Sequence, residues 1–125
     1  MVAIDTNVLV RWLVRDDETL AVKADEVCQK ARPGELYLDR LILAELTYVL
    51  RSVYGLRKVG IVLNLRALTS DERFVLDDVE VVGATIDLFE QHQPLSFEDC
   101  WLLALKQAGR VTAVATFDKA LANRC

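Results

Sequence analysis

A single histidine, His92, and three cysteines, Cys28, Cys100 and Cys125, are all the imidazole and thiol that this chain of 125 residues carries. The cysteines are odd in number and form no CxxC pair, which argues against both a zinc knuckle and a disulfide framework. All three are expected as thiols, with Cys100 in the core. With no second imidazole to join it, His92 belongs to the loop running into Gln93-Pro94 and not to a metal site. Proline and glycine are thin, at 2 and 5 residues, and no stretch has a linker's composition, a repeat or low complexity. One globular domain spanning residues 1–125 is therefore expected. Long apolar runs are missing too: charge interrupts them before the roughly 20 residues of a membrane span. The N-terminus lacks a basic region followed by an apolar run and a cleavage site, so a cytoplasmic location with no membrane contact is the expectation. Basic excess is also missing. At a formal charge of -4, any polyanionic partner must meet a local patch of cations.

What the chain does have is apolar residues, 53% of the total, enough for a substantial core. They alternate between strand and helix patterns. Val2 to Ile4 reads as a short buried strand, after which Val8, Leu9, Trp12 and Leu13 recur at helical spacing. Asp16 and Asp17 open a helix through Leu20, Val22, Val27 and Cys28 to the Pro33-Gly34 break. Glu35 to Leu38 is a second strand and Asp39 the N-cap of a helix ending near Gly55. A helix from about Lys58 to Leu68, a strand from Phe74 to Leu76 and a helix from about Val81 to Gln91 follow. Ser96 with Asp99 forms a capping pattern for a largely apolar helix that stops near Gly109. Val111 to Ala115 is expected as a last strand leading to Thr116-Phe117-Asp118. Apolar strands separated by helices predict an α/β fold, a mostly parallel sheet of four to five strands with helices on both faces.

Parallel sheets carry their functional groups at the carboxyl ends of the strands. Asp5 ends the first strand, Asp118 follows the last, Asp99 lies in the first turn of its helix, and Glu45 in the second turn after strand two. Two such acids about 5 Å apart repel by roughly 3 kcal/mol at an effective dielectric near 20. Four together require protonation or a cation among them. A donor set of oxygens alone favours Mg²⁺ or Mn²⁺ over zinc, and the reaction such an ion serves best is displacement at phosphorus. Phosphodiester hydrolysis is the expected reaction class.

Four stretches in order, "AIDTNVLV", "LILAELTYVL", "LSFEDCWLLALKQAG" and "VTAVATFDKAL", resemble the PIN-domain family, in particular VapC-like toxins of type II toxin–antitoxin pairs. The resemblance covers nearly the whole chain. It implies a Mg²⁺- or Mn²⁺-dependent endoribonuclease, usually a homodimer, neutralised by a small cognate antitoxin. Carried over by motif, Asp5, Glu45, Asp99 and Asp118 match the four acids as catalytic residues and metal ligands. Thr116 matches the hydroxyl residue two before the fourth acid, while Thr6 and Asn7 fill the polar positions after the first. In the mechanism this implies, Thr6 and Thr116 orient carboxylates. The antitoxin would set a basic side chain in the acidic pocket and an apolar helix in a groove between the Glu45 helix and the Lys58 to Leu68 segment. Many members of the family continue past the fourth acid into a further edge strand. This sequence stops at Cys125, so that strand is expected to be missing or the tail removed.

Each acid also has a structural reading: Asp5 as a helix cap, Asp99 as the far end of a capping box, Asp118 as a turn or cap residue, and Glu45 as a surface residue flanking the stripe of Ile42, Leu46, Val49 and Val53. Glu98 is the rival of Asp99, turned from it by about 100°. Trp12 and Trp101 fall on apolar helical patterns and are expected to pack in a core or interface. Arg11 and Arg15, four apart and close to Asp5, are the candidate contacts to an RNA backbone, with Arg51, Arg57 and Lys58 as a second patch. Two other function classes remain open. A phosphotransfer or phosphatase-type enzyme also starts from a strand and an Asp, although Asn7 stands where a second Asp is usual. A non-catalytic module would use the acidic pocket only to receive a basic partner.

Overall fold

Strand and helix alternate through the first three-fifths of the chain. The computed structural model describes residues 1–125, in which β1 (Val2–Ala3), β2 (Leu36–Leu38) and β3 (Phe74–Leu76) form one parallel sheet in the order β1-β2-β3. Its register pairs Ala3 with Tyr37 and Tyr37 with Val75. Helices flank it: α1 (Thr6–Val14), α2 (Glu18–Val27), α3 (Arg40–Ser52) and α4 (Lys58–Ser70). Within this part α1 packs on α2 and on α3, α3 on α4, and α4 on β3. Residues Met1–Asp77 form one compact unit and Asp78–Cys125 a second. The second holds α5 (Val79–Gln91), α6 (Phe97–Gln107) and a short α7 (Lys119–Ala122). There α5 packs on α6, with Phe89 edge-on to Phe97 at a centroid distance of 6.1 Å. No helix is long and apolar enough to cross a membrane.

Local chemistry sets the boundaries. Asp17, Asp39 and Ser96 are N-caps whose side chains accept the free amides of Leu20, Leu41 and Asp99. At Ser96 the bond is returned by Asp99, completing a capping box. Helix α6 ends where Gly109 takes φ of 73°, with Gly109 N–H on the Lys106 carbonyl and Arg110 N–H on that of Leu105. That paired closure is a Schellman motif, and it needs the left-handed backbone glycine adopts without strain.

The expected count of four to five strands does not hold: there are three. Residues 111–115 take no regular structure, and Val111, Thr112, Ala113 and Ala115 are exposed. β-branched residues favour an extended chain, but a strand exists only where a neighbour supplies the other half of its ladder. The unit that holds this segment contains no other strand. Two helix faces also differ from the sequence pattern. In α3 the buried stripe is Leu43, Leu46, Thr47 and Leu50, while Val53 is exposed. In α2 the core receives Ala21 and Ala24, with Cys28 just beyond the helix end, while Leu20, Val22 and Val27 point outward. Small residues permit close approach of α1, so the larger ones are displaced to the rim.

Candidate functional site

Three parallel strands end alike, as Ile4-Asp5, Leu38-Asp39 and Leu76-Asp77. Each aspartate follows its strand by the same offset from the paired Ala3, Tyr37 and Val75, so the three lie in one row at the carboxyl edge. Asp39 and Asp77 were not among the expected site residues. The repeated aliphatic-Asp step after every strand is the sequence signal that finds them. Their surroundings set them apart from Asp5. The Asp39 carboxylate accepts the Tyr37 hydroxyl at 2.8 Å and the Leu41 amide at 2.9 Å. Those bonds, that from Leu41 foremost, hold its pKa below the usual carboxylate range. Asp77 is paired with Arg40 at 3.4 Å.

Asp5 has no such partner. It is exposed, caps α1, and accepts only the Thr6 amide, at 2.8 Å through Oδ1. Thr6 itself is 1% exposed, and its Oγ1 is buried with no hydrogen-bond partner. A buried hydroxyl left unpaired costs free energy. Asn7 follows, exposed, in the first turn of α1. Glu45, in the second turn of α3, is exposed and makes neither a hydrogen bond nor an ion pair.

The second unit holds the other two acids. Asp99 sits at the third position of α6, where one oxygen accepts the Ser96 amide at 3.3 Å. Asp118 caps α7 by accepting the Leu121 amide at 2.9 Å, and its own amide donates to Thr116 Oγ1 at 3.0 Å. Asp5 and Asp118 are thus N-caps and Asp99 the far end of the Ser96 capping box, as foreseen, and each role occupies one carboxylate oxygen. The other oxygen of each remains without a protein partner.

The remaining acids near arginines are neutralised. Arg11 donates to Asp16 at 3.0 Å, and Arg15 grips Asp25 with two bonds of 2.8 Å. Arg73 binds Asp71 at 2.6 Å and Arg110 binds Asp78 at 3.2 Å. Tyr54 and Arg11 together lower the pKa of Asp16, Tyr54 more than Arg11, and Arg15 lowers that of Asp25. The arginines proposed for an RNA backbone are therefore engaged: Arg15 in a bidentate pair, Arg11 through a single bond.

In neither unit do three His, Cys, Asp or Glu side chains gather closely enough to hold an ion among them. Residues Met1–Asp77 contribute Asp5 and Glu45, and Asp78–Cys125 contribute Asp99 and Asp118. The donor chemistry nevertheless suits a hard divalent cation, since all four offer carboxylate oxygens that no lysine or arginine neutralises. The Thr6 hydroxyl makes no hydrogen bond, so the expected bond from it to a carboxylate is not present; it is the Thr6 amide that holds Asp5.

Against known proteins, the model of one family, the PIN domain, matches residues 2–125. No curated protein and no solved structure matches the chain.

Proposed function

Because the chain belongs to the PIN-domain family, we propose that it is a Mg²⁺- or Mn²⁺-dependent endoribonuclease acting as the toxin of a toxin–antitoxin pair. PIN domains are generally nucleases and often occur in toxin–antitoxin systems. The observation that carries the reading is the match of the PIN-domain model to residues 2–125; it is supported by Asp5, Glu45, Asp99 and Asp118 lacking the arginine that Asp16, Asp25, Asp71, Asp77 and Asp78 each have, a freedom that Glu98 and several other surface acids share. A carboxylate kept free of internal cations is available to an external one.

In this reading Asp5, Glu45, Asp99 and Asp118 hold one or two divalent ions. Such an ion, when bound, supplies an activated water and charge stabilisation for in-line displacement at phosphorus. The chain's own residues do the positioning. The amides of Thr6, Ser96 and Leu121 each fix one oxygen of Asp5, Asp99 and Asp118, leaving the other directed elsewhere. Thr116 pins the backbone at Asp118 by accepting its amide.

The antitoxin is proposed to cover α3 and α4, which pack together and leave Leu41, Tyr48, Val59 and Leu63 exposed, the last two at 67% and 66%. Exposed apolar side chains on two packed helices support a partner surface there. The homodimer rests on the family resemblance, and the cytoplasmic location on the short apolar runs of the sequence together with the family's usual compartment.

The test is cleavage of a mixed pool of structured RNA with Mg²⁺ by the protein and by Asp5→Asn, Glu45→Gln, Asp99→Asn and Asp118→Asn, with Glu98→Gln as the control. Fragments from the unaltered protein and Glu98→Gln, with losses of about 100-fold or more in the four variants, are expected. Full activity in any of the four removes that acid from the site.

A further inference from the structure

Helices α1 and α2 enclose a groove of about 460 Å³ lined by Asn7, Val8, Arg11, Leu20, Lys23 and Val27, with Ala24 at its floor. On α2 the residues Leu20, Lys23, Ala24 and Val27 follow one another at helical spacing and form a single face. Because Ala21, Ala24 and Cys28 fill the core side, Leu20 and Val27 stand on the rim with 37% of their surface open. The lining is thus an apolar wall with two cations and an amide, and no carboxylate.

The cations are not equivalent. Lys23 is exposed and has no acid partner. Arg11 gives one N–H to Asp16 and keeps its other donors, unlike Arg15, whose fork is closed on Asp25. The groove begins at Asn7, two residues after Asp5. Its volume is within the range of roughly 300–1,000 Å³ that seats a small ligand. An occupant with an apolar body for Val8, Leu20 and Val27 and an anion for Lys23 and Arg11 complements this lining, and a nucleotide has both.

We propose that the α1–α2 groove is a subsite for one nucleotide of the RNA flanking the cleaved phosphate, with its base on the Leu20–Val27 wall and its phosphate at Lys23 and Arg11. This rests on the nuclease reading above and adds to it where the strand enters. Lys23 contributes charge to binding and takes no part in bond cleavage. Its removal should weaken RNA binding uniformly across sequences and lower the salt dependence.

The experiment measures fluorescence anisotropy of a labelled short single-stranded RNA with the Asp5→Asn protein in Mg²⁺, alongside cleavage by the unaltered protein. Lys23→Ala in that background should reduce affinity about tenfold and reduce the slope of log affinity against log salt by about 0.7. Val27→Asp, which sets a carboxylate on the wall, should reduce affinity at least as much. Lys30→Ala, whose ammonium pairs with Glu26 beyond the groove, should change neither quantity. Both test positions are exposed, and an unchanged circular-dichroism melt checks the fold. Affinity and slope unchanged in both variants, with cleavage intact, would overturn the subsite alone and leave the groove to a protein partner. No binding and no cleavage by the unaltered protein would overturn the nuclease reading and the subsite with it.

Discussion

A carboxylate with an arginine beside it has its charge answered, and one without remains open to a cation from outside. That difference separates Asp5 from Asp77 in the same row of strand ends, although one Asp77 oxygen is buried without a partner; Asp39 differs from Asp5 in its two hydrogen bonds and not in an arginine. Asp39 is held by a phenol and an amide, Asp77 by Arg40, and Asp5 by one amide. Thr6, the residue after Asp5, has a hydroxyl buried without a partner. Evolution for stability alone would favour valine there, a side chain of the same shape with no polar atom to desolvate. Thr6→Val is therefore expected to raise stability by about 1 kcal/mol in urea unfolding while lowering RNA cleavage. A variant that is destabilised and fully active would show the hydroxyl to be structural.

Elements with strong end signals were legible in the sequence. Asp17, Asp39 and the Ser96–Asp99 box are N-caps as read, and β3 has the foreseen limits of Phe74 and Leu76. Less legible were the features that depend on neighbours. Residues 111–115 have the composition of a strand but no ladder partner in their unit, and no local pattern reports that. The face of α2 turned on packing as well: alanines go inward because α1 is close, which leaves Leu20 and Val27 to line a groove that hydrophobicity alone would have put in the core.

One ion pair ties three elements together. Arg73 binds Asp71, the C-cap of α4, donates to the Cys28 carbonyl after α2, and lies 5.1 Å over the Trp12 ring of α1. Hydrogen bonds from Arg73 hold the Asp71 carboxyl below its usual pKa, so the unfolded chain takes up a proton there before the folded one does. The stability it contributes is complete above the unfolded pKa of about 3.9 and is lost as pH falls through the lower folded value. Thermal melts from neutrality down to about pH 3 are expected to fall less steeply on the acid side for Asp71→Asn than for the unaltered protein. Parallel curves would contradict the assignment.

At the scale of the whole molecule, the thiols report on the fold and the acids on the function. Cys28 and Cys100 are fully buried, and burial pushes the Cys28 thiol up to about 11, whereas Cys125 is exposed. Thiolate is the reactive form, so a small alkylating reagent near pH 8 should modify Cys125 rapidly, and all three only in denaturant. Rapid native modification of Cys28 would contradict the burial. Of the candidate acids only Asp5 ends a strand; the strand expected to deliver Asp118 is absent, and Glu45, Asp99 and Asp118 were singled out by the family motifs, which are local. Their freedom from arginine partners was not legible in the sequence, since Arg40 and Asp77 stand far apart in the chain and meet only when it folds.

The most direct measurement is the initial rate of RNA fragment formation in Mg²⁺, after EDTA, and after excess Mg²⁺ is restored, for the protein and for Asp5→Asn. Cleavage that stops on chelation, returns with the ion and never appears in Asp5→Asn is the expected result. Fragments formed at an undiminished rate in EDTA, or by Asp5→Asn, would contradict a metal-dependent nuclease built on that carboxylate.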